Sequence, residues 1–304
     1  MPGLKVQENL APKKTLRQTL SNYLELTKPG IMTLLVLEAI TAMIVAAGRS
    51  AGLVDILGIA VAGILSSGGS AALNHYLERN KDVLMTRTDH RPVATQKIPP
   101  RHALIFGVLS IALGLAAADL LFNPLTSAMI LLGSLSYIFL YTLYLKPRTY
   151  WNIVIGGIAG VFPALAGWAA VTDRIGWPSI FIGLLVFLWT PPHFWGLSLK
   201  FKEDYRRSGY PMLSVVKNQV QVINWIVLST IPLLLFSLLP IVFHSLGNFD
   251  IFYYVVAAVM GLAFVAVDYR MLKNPTVQNG FNAFLISLPY LFILFGGMII
   301  SSII

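Results

Sequence analysis

Asn74, Glu78 and Asp82 stand four residues apart in NHYLERNKDVLMTRTDHRP, a polar stretch of a chain that otherwise carries few charges. On a helix, positions i, i+4 and i+8 drift by only about 80° over two turns, so one amide and two carboxylates form a slanting stripe. Hard oxygen donors of this kind suit Mg²⁺, which takes few protein ligands and fills its octahedral shell with water and phosphate oxygen. Arg79, Lys81, Arg87 and Arg91 follow at once. With a metal on the carboxylates and guanidinium forks on the outer oxygens, the stretch could hold a diphosphate. In this reading Arg87 and Arg91 contact phosphate, while Arg79 and Lys81 anchor the helix at anionic lipid. The same spacing marks ordinary solvated helix ends; the setting favours a site. Asn74 directly follows GILSSGGSAAL, a small-residue run that lets helices approach closely, and polar groups beside it are costly unless they serve a partner or a cavity.

A second polar cluster lies in WTPPHFWGLSLKFKEDYRRSGYPML, residues 189–213. Pro191 and Pro192 lack N–H donors and predict a disturbed helix, which a membrane span tolerates where its backbone lines a cavity. His193 follows, flanked by Phe194 and Trp195: a nitrogen donor in an aromatic setting, or else a structural histidine bonded across helices. Lys200 and Asp204 form an expected i,i+4 pair with Arg207 three residues on. Asp204 would help hold a metal or orient a basic residue, and Lys200 would meet phosphate or a carboxylate of an acceptor; a plain surface ion pair is the alternative. Lys146 and Arg148 make a compact basic spot that either contacts phosphate or anchors topology. His75 is an interfacial residue or a substrate contact. Glu38 and Asp268 are acids within expected membrane spans and invite a functional role or an internal hydrogen bond.

The elements that must position these residues are membrane helices. Of 304 residues 56% are hydrophobic and 12% charged, with a mean hydropathy of +0.73; soluble domains carry roughly 25% charged residues. Apolar runs long enough for a hydrocarbon core of about 30 Å recur at 31–48, 53–73, 103–118, 124–142, 152–170, 178–198, 221–240, 251–269 and 281–301. The third is short and the fifth is rich in glycine. Twenty of the 22 Lys and Arg residues fall on one side of this map, which predicts an odd number of spans, a cytoplasmic N-terminus and a C-terminus on the opposite side. The net charge of +9 therefore reads as topology and attraction to membrane lipids, with no nucleic-acid partner. No cysteine is present, which excludes disulfides and thiol chemistry. Residues 1–30 read as a cytoplasmic arm ending in a surface-lying segment, and 31–304 as a single transmembrane unit with its chemistry at the cytoplasmic mouth.

The pattern N-x-x-x-E-x-x-x-D-x-x-M-x-R-T-x-x-R-P at residues 74–92 resembles the first aspartate-rich motif of the UbiA intramembrane prenyltransferases. Its tail, together with LTKPG at 26–30, the run at 141–170 and the segment at 189–213, is similar to the branch that farnesylates protoheme. The resemblance implies an all-α bundle of nine transmembrane helices with polar cytoplasmic loops over a central cavity. It also implies Mg²⁺ and diphosphate on Asn74, Glu78 and Asp82, assisted by Asp204. Arg87, Arg91, Lys146, Arg148 and Lys200 would bind diphosphate, and His193 and Trp195 would bind heme. The implied reaction is farnesyl transfer from farnesyl diphosphate to a vinyl group of heme b, with water addition giving heme O, and the implied partner is a heme A synthase that takes up this product. Glu78 stands where many relatives carry Asp. Lys200 leads the second motif where the wider family has an acid, so a second full metal site is not implied. Two other readings remain: prenyl transfer to a quinone precursor or chlorophyll-like ring, and a multi-span transporter, for which no paired inverted repeat is evident.

Overall fold

The computed structural model describes residues 15–304; the first part of the expected arm, 1–14, lies outside the described residues. Among the described residues every regular element is a helix. Among the described residues nine segments are long and apolar enough to cross a membrane: Pro29–Ser50, Leu53–Asp82, Pro100–Leu121, Pro124–Leu145, Asn152–Thr172, Trp177–Lys200, Gln219–Ile241, Ile251–Lys273 and Val277–Ile303. They coincide with the nine runs expected from sequence. The short third run gains its missing turns from Pro100 to His102 and from the residues up to Leu121.

Helix α1 (Leu16–Leu26) precedes the first span, and a Thr15–Gln18 capping box starts it. The spans are α2 (Pro29–Ala47), α3 (Leu53–Asp82), α4 (Pro100–Leu121) and α5 (Pro124–Leu135), which continues in π-helical form over Ser136–Leu145. The fifth is broken into α6 (Asn152–Gly156), a 3-10 stretch Gly157–Val161 and α7 (Phe162–Thr172). Next come α8 (Trp177–Lys200), the short helices α9 (Lys202–Arg207) and α10 (Leu213–Val216), and the spans α11 (Gln219–Ser237), α12 (Ile251–Lys273) and α13 (Val277–Ile303). Proline at the first turn of α2, α4, α5 and α8 starts each helix where an N–H would be unsatisfied anyway. Side chains of Asn123, Asp250 and Thr276 cap α5, α12 and α13.

Two features place the functional residues. First, α3 is 30 residues long, about 45 Å at 1.5 Å per residue, so its last turns extend beyond the hydrocarbon and carry Asn74, Glu78 and Asp82 on one continuous helix, as their spacing predicts. Its small residues set it directly against α4: a Cβ at Gly69 would lie 2.7 Å from the carbonyl oxygen of Gly107. Second, α2 packs on α7 so closely that a Cβ at Gly167 would lie 1.9 Å from the Ala39 carbonyl oxygen. Gly167→Ala is therefore expected to lower stability by about 1–3 kcal/mol through overpacking, read as a lower midpoint of thermal unfolding in detergent.

The double proline does not interrupt the sixth span. Helix α8 runs through Pro191 and Pro192 without a break. Its flanks are held by α11 and α13, and the carbonyls of Phe187 and Leu188, which lose their intrahelical donors, border an apolar groove. The interruption falls instead in the fifth span, at Gly156, Gly157 and Gly160.

Candidate active site

At the end of the bundle bearing the long polar loops, each member of the α3 stripe meets a cation. The Lys28 ammonium donates to Asn74 Oδ1 at 2.6 Å and to the Tyr137 hydroxyl at 3.3 Å. Lys146 donates to Glu78 Oε1. Arg91 Nη1 donates to Asp82 Oδ1 at 2.8 Å. Asn74, Glu78 and Asp82 are at most 3% exposed, so these are enclosed pairs and not surface ion pairs.

Local geometry explains each meeting. Lys28 sits between α1 and α2 in the left-handed region, φ 49° and ψ 67°. That conformation is unfavourable for a residue with a Cβ, and here it turns the chain from α1 into α2 beside α3. The π-helical end of the fourth span sets Tyr137, Thr142 and Lys146 along α3: Thr142 Oγ1 accepts from Asn74 Nδ2 at 3.1 Å, and the Lys146 amide reaches back five residues to Tyr141. Tyr210 closes the other side, its hydroxyl donating to Glu78 Oε1 at 3.3 Å and its ring 4.8 Å from Lys146 Nζ.

The two long loops dock on one another. Asp204 accepts from the Thr86 hydroxyl at 2.8 and 2.9 Å, from the Arg87 amide at 3.0 Å and from Arg207. Lys81 Nζ donates to the Ser208 carbonyl at 2.7 Å, and Met85, Tyr205, Tyr210 and Met212 form a buried apolar seam beneath. Burial works against the Asp204 carboxylate. The Arg87 amide, the Thr86 hydroxyl and the Arg207 guanidinium outweigh it and hold the carboxyl below its usual range. Asp204→Asn is expected to loosen residues 83–92 by about 1.5–3 kcal/mol, the worth of hydrogen bonds to a charged group. Faster amide exchange across 83–92, with exchange in α12 unchanged, is the check.

An open recess of about 330 Å³ is bordered by Glu25, Lys28, His75, Arg87, His90 and Arg91, and so reaches two of the cations that meet the stripe, Lys28 and Arg91. Burial, followed by the neighbouring Arg91 charge, pulls the Lys28 ammonium well below its usual pKa. Burial also lowers that of Lys146, against the opposing charge of Glu78. Burial thus works against the charged form of both lysines, and an incoming polyanion would favour it. His75 is buried with no hydrogen-bond partner for either ring nitrogen among the described residues.

Several expected placements differ. Lys200 and Asp204 are not an i,i+4 pair, because the chain breaks helix at Phe201 (φ −105°, ψ 27°); Lys200 lies 3.8 Å over the Phe281 ring instead. Asp204 presents no free oxygen toward a metal, since both are taken by chain donors. Arg148 is exposed and caps the carbonyls of Leu143 and Tyr144, apart from the stripe. Lys81 is a loop-to-loop link and not a lipid anchor. His193 and Trp195 cannot share one flat ligand: residues two apart on a helix point about 200° from each other. His193 packs on Ser287 and Phe284 of α13, whereas Trp195 packs on Trp151 and Trp225. Lys28, Thr86, Tyr137 and Tyr210 were not among the expected site residues. The signals available were Lys28 before Pro29 at a span's edge and Tyr210 before Pro211 in the opposite loop.

Residues 35–296 match the UbiA prenyltransferase family. The chain belongs to that family. Among its UbiA-family relatives is a protoheme IX farnesyltransferase of Metallosphaera sedula, 40% identical over 272 residues, covering 90% of this chain and 93% of the relative. Another, of Sulfolobus acidocaldarius, is 37% identical over 290 residues and covers 95% and 99%. The chain spans about half the length of two further relatives of that name from Roseiflexus, 55% and 53%. The fold is shared with a UbiA homolog from Archaeoglobus fulgidus bound to DMAPP and Mg²⁺, with a TM-score of 0.65, 15% identity and coverage of 91% and 99%. It is also shared with a UbiA homolog from Aeropyrum pernix K1, with a TM-score of 0.70, 17% identity and coverage of 89% and 98%.

Proposed function

We propose that this UbiA-family enzyme transfers the farnesyl group of farnesyl diphosphate to a vinyl group of heme b, with capture of water, to give heme O and diphosphate. The observation that carries the reading is the enclosed stripe of Asn74, Glu78 and Asp82 with Lys28, Lys146 and Arg91 drawn onto it; the relatives named above support the choice of donor and acceptor. The end bearing the long loops faces the cytoplasm, as the side that gathers Lys and Arg should, and the C-terminus lies across the membrane. Residues 31–304 form the catalytic unit.

The residues present fit Mg²⁺ bound together with a diphosphate. Among the described residues no three acids or histidines cluster as a metal cage, yet Asp82 Oδ2 is a buried carboxylate oxygen without a partner. A donor set of one amide and two carboxylates leaves room for phosphate oxygens. Asn74, Glu78 and Asp82 would hold the ion once Lys28 leaves Asn74 Oδ1 for the diphosphate, and the ion would supply Lewis-acid stabilisation of the leaving group. Lys28, Arg87, Arg91 and Lys146 would meet the negative charge that grows on the bridging oxygen as the farnesyl C–O bond breaks. The allylic cation then adds to the vinyl carbon. The new cation next to the ring takes up water and loses a proton.

Purified protein given heme b and farnesyl diphosphate is expected to form a product heavier by one farnesyl group and one hydroxyl, in a metal-dependent reaction followed by mass spectrometry. Prenylation of 4-hydroxybenzoate alone would reject the acceptor.

A further inference from the structure

Three contacts fix His193. Its ring lies between the indole of Trp189, with centroids 4.0 Å apart and planes 24° apart, and the ring of Phe284, 4.7 Å away. Its Nδ1 lies 2.7 Å from Ser287 Oγ. Trp189 is itself tied to the same residue, its Nε1–H donating to the Ser287 carbonyl at 2.7 Å. Imidazole and indole are thus both referenced to one residue of α13, and the ring is not free to turn.

The hydrogen-bond count then selects a tautomer. Ser287 Oγ lies 2.7 Å from the Phe284 carbonyl oxygen as well as 2.7 Å from His193 Nδ1. One hydroxyl proton serves one of these contacts. If it pointed at Nδ1, two acceptor oxygens would face each other at 2.7 Å with no proton between them. With the hydroxyl donating to Phe284, the second contact requires a proton on Nδ1, and His193 donates to Ser287. Nε2 then carries the lone pair. Among the described residues no donor meets Nε2, and His193 is half-buried, not sealed.

An imidazole with its Nδ1–H committed to an oxygen and a free, oriented Nε2 is the arrangement that metal-ligating histidines adopt. Further along the same face, the Phe284 ring stacks on Phe281 at 5.3 Å, and Lys200 Nζ lies 3.8 Å over Phe281. Lys200 is seven residues from His193, about 10 Å along the axis and nearly the same azimuth. A lone-pair donor, an aromatic wall and a cation in line match the iron, the flat ring and the edge carboxylates of an iron porphyrin.

We propose that Ser287 is a positioning residue that fixes the Nδ1–H tautomer of His193, so that Nε2 serves as an axial ligand to the iron of the heme acceptor while Lys200 pairs with a carboxylate at its edge. The proposal rests on heme being the acceptor and adds how that acceptor is held.

Titration of the full chain in detergent with ferric heme, followed by absorption and electron paramagnetic resonance, is the test. Wild type shows a histidine-ligated signature that His193→Ala abolishes. Ser287→Ala weakens heme binding on the order of 10–100-fold, as loss of a partner hydrogen-bonded to a metal ligand does, and Ser287→Thr, which keeps the hydroxyl, restores affinity and spectrum. Metal-free protoporphyrin binds wild type, His193→Ala and Ser287→Ala alike. A spectrum unchanged in His193→Ala, or equal losses for the iron-containing and metal-free rings, overturns the proposal. If heme O still forms in those variants with an unchanged iron spectrum, the acceptor reading stands and only the ligation fails. If wild type forms no heme product, the acceptor reading itself fails.

Discussion

Asp82→Asn is expected to lower turnover with farnesyl diphosphate by on the order of 10²–10³-fold, the range for removing one preorganised electrostatic element from a transition state. The change is nearly isosteric and keeps an oxygen for Arg91, whose guanidinium lies 2.8 Å from Asp82 Oδ1. It removes the charge on the buried Oδ2, which has no partner among the described residues. A structural role alone predicts loss of folded protein in parallel with loss of rate. A role in holding the ion predicts a normal unfolding midpoint, reduced turnover and a higher Mg²⁺ requirement, read by varying Mg²⁺ at fixed donor. Turnover unchanged at limiting Mg²⁺ would remove Asp82 from the site. Glu78→Gln belongs to the same experiment, with less clean interpretation, because Glu78 also neutralises a buried lysine.

The stripe itself was legible in the sequence because a helix converts spacing into direction: once α3 is helical to Asp82, Asn74, Glu78 and Asp82 must share a face. The nine spans were legible for a similar reason, since apolar length and the sidedness of Lys and Arg are local properties. What fills the space opposite the stripe was not local. Lys28 reaches Asn74 only through a left-handed turn before Pro29, and Lys146 reaches Glu78 only because the fourth span ends in π-helical form. Neither conformation has a residue signature here. Arg87 and Arg91 come from the loop after α3, yet that loop is held by Asp204, 117 residues from Arg87. The expected Lys200–Asp204 pair failed on one residue, Phe201, where the helix ends and the register between the two charges is lost. Proline misled in the opposite direction. Its missing donor is a certainty, but α8 runs on as one helix between its neighbours, and the glycines of the fifth span make the real break.

Lys146→Met separates the two tasks that a buried lysine performs. Alone, it leaves the Glu78 carboxyl 3% exposed and without its cation, with only the Tyr210 hydroxyl still donating to it; breaking such a pair costs about 3–5 kcal/mol. Turnover is expected to fall on the order of 10³-fold, since a fixed positive charge at the leaving group is lost as well. Glu78→Gln with Lys146→Met removes both charges together, and the stability is expected to return to within about 1–2 kcal/mol of wild type, because a neutral pair in a closed site no longer leaves an isolated ion. Turnover is not expected to return, because neither the oxygen charge that would help hold the ion nor the ammonium that would meet the departing diphosphate is present. A double-mutant cycle in unfolding midpoint and in kcat, run on the same four proteins, reads both. If stability and rate recover together, the Lys146–Glu78 pair is a packing device and the diphosphate belongs elsewhere. If stability recovers alone, the pair that steadies the ligand-free protein is the same one that divides on binding, the carboxylate going to the ion and the ammonium to the leaving group.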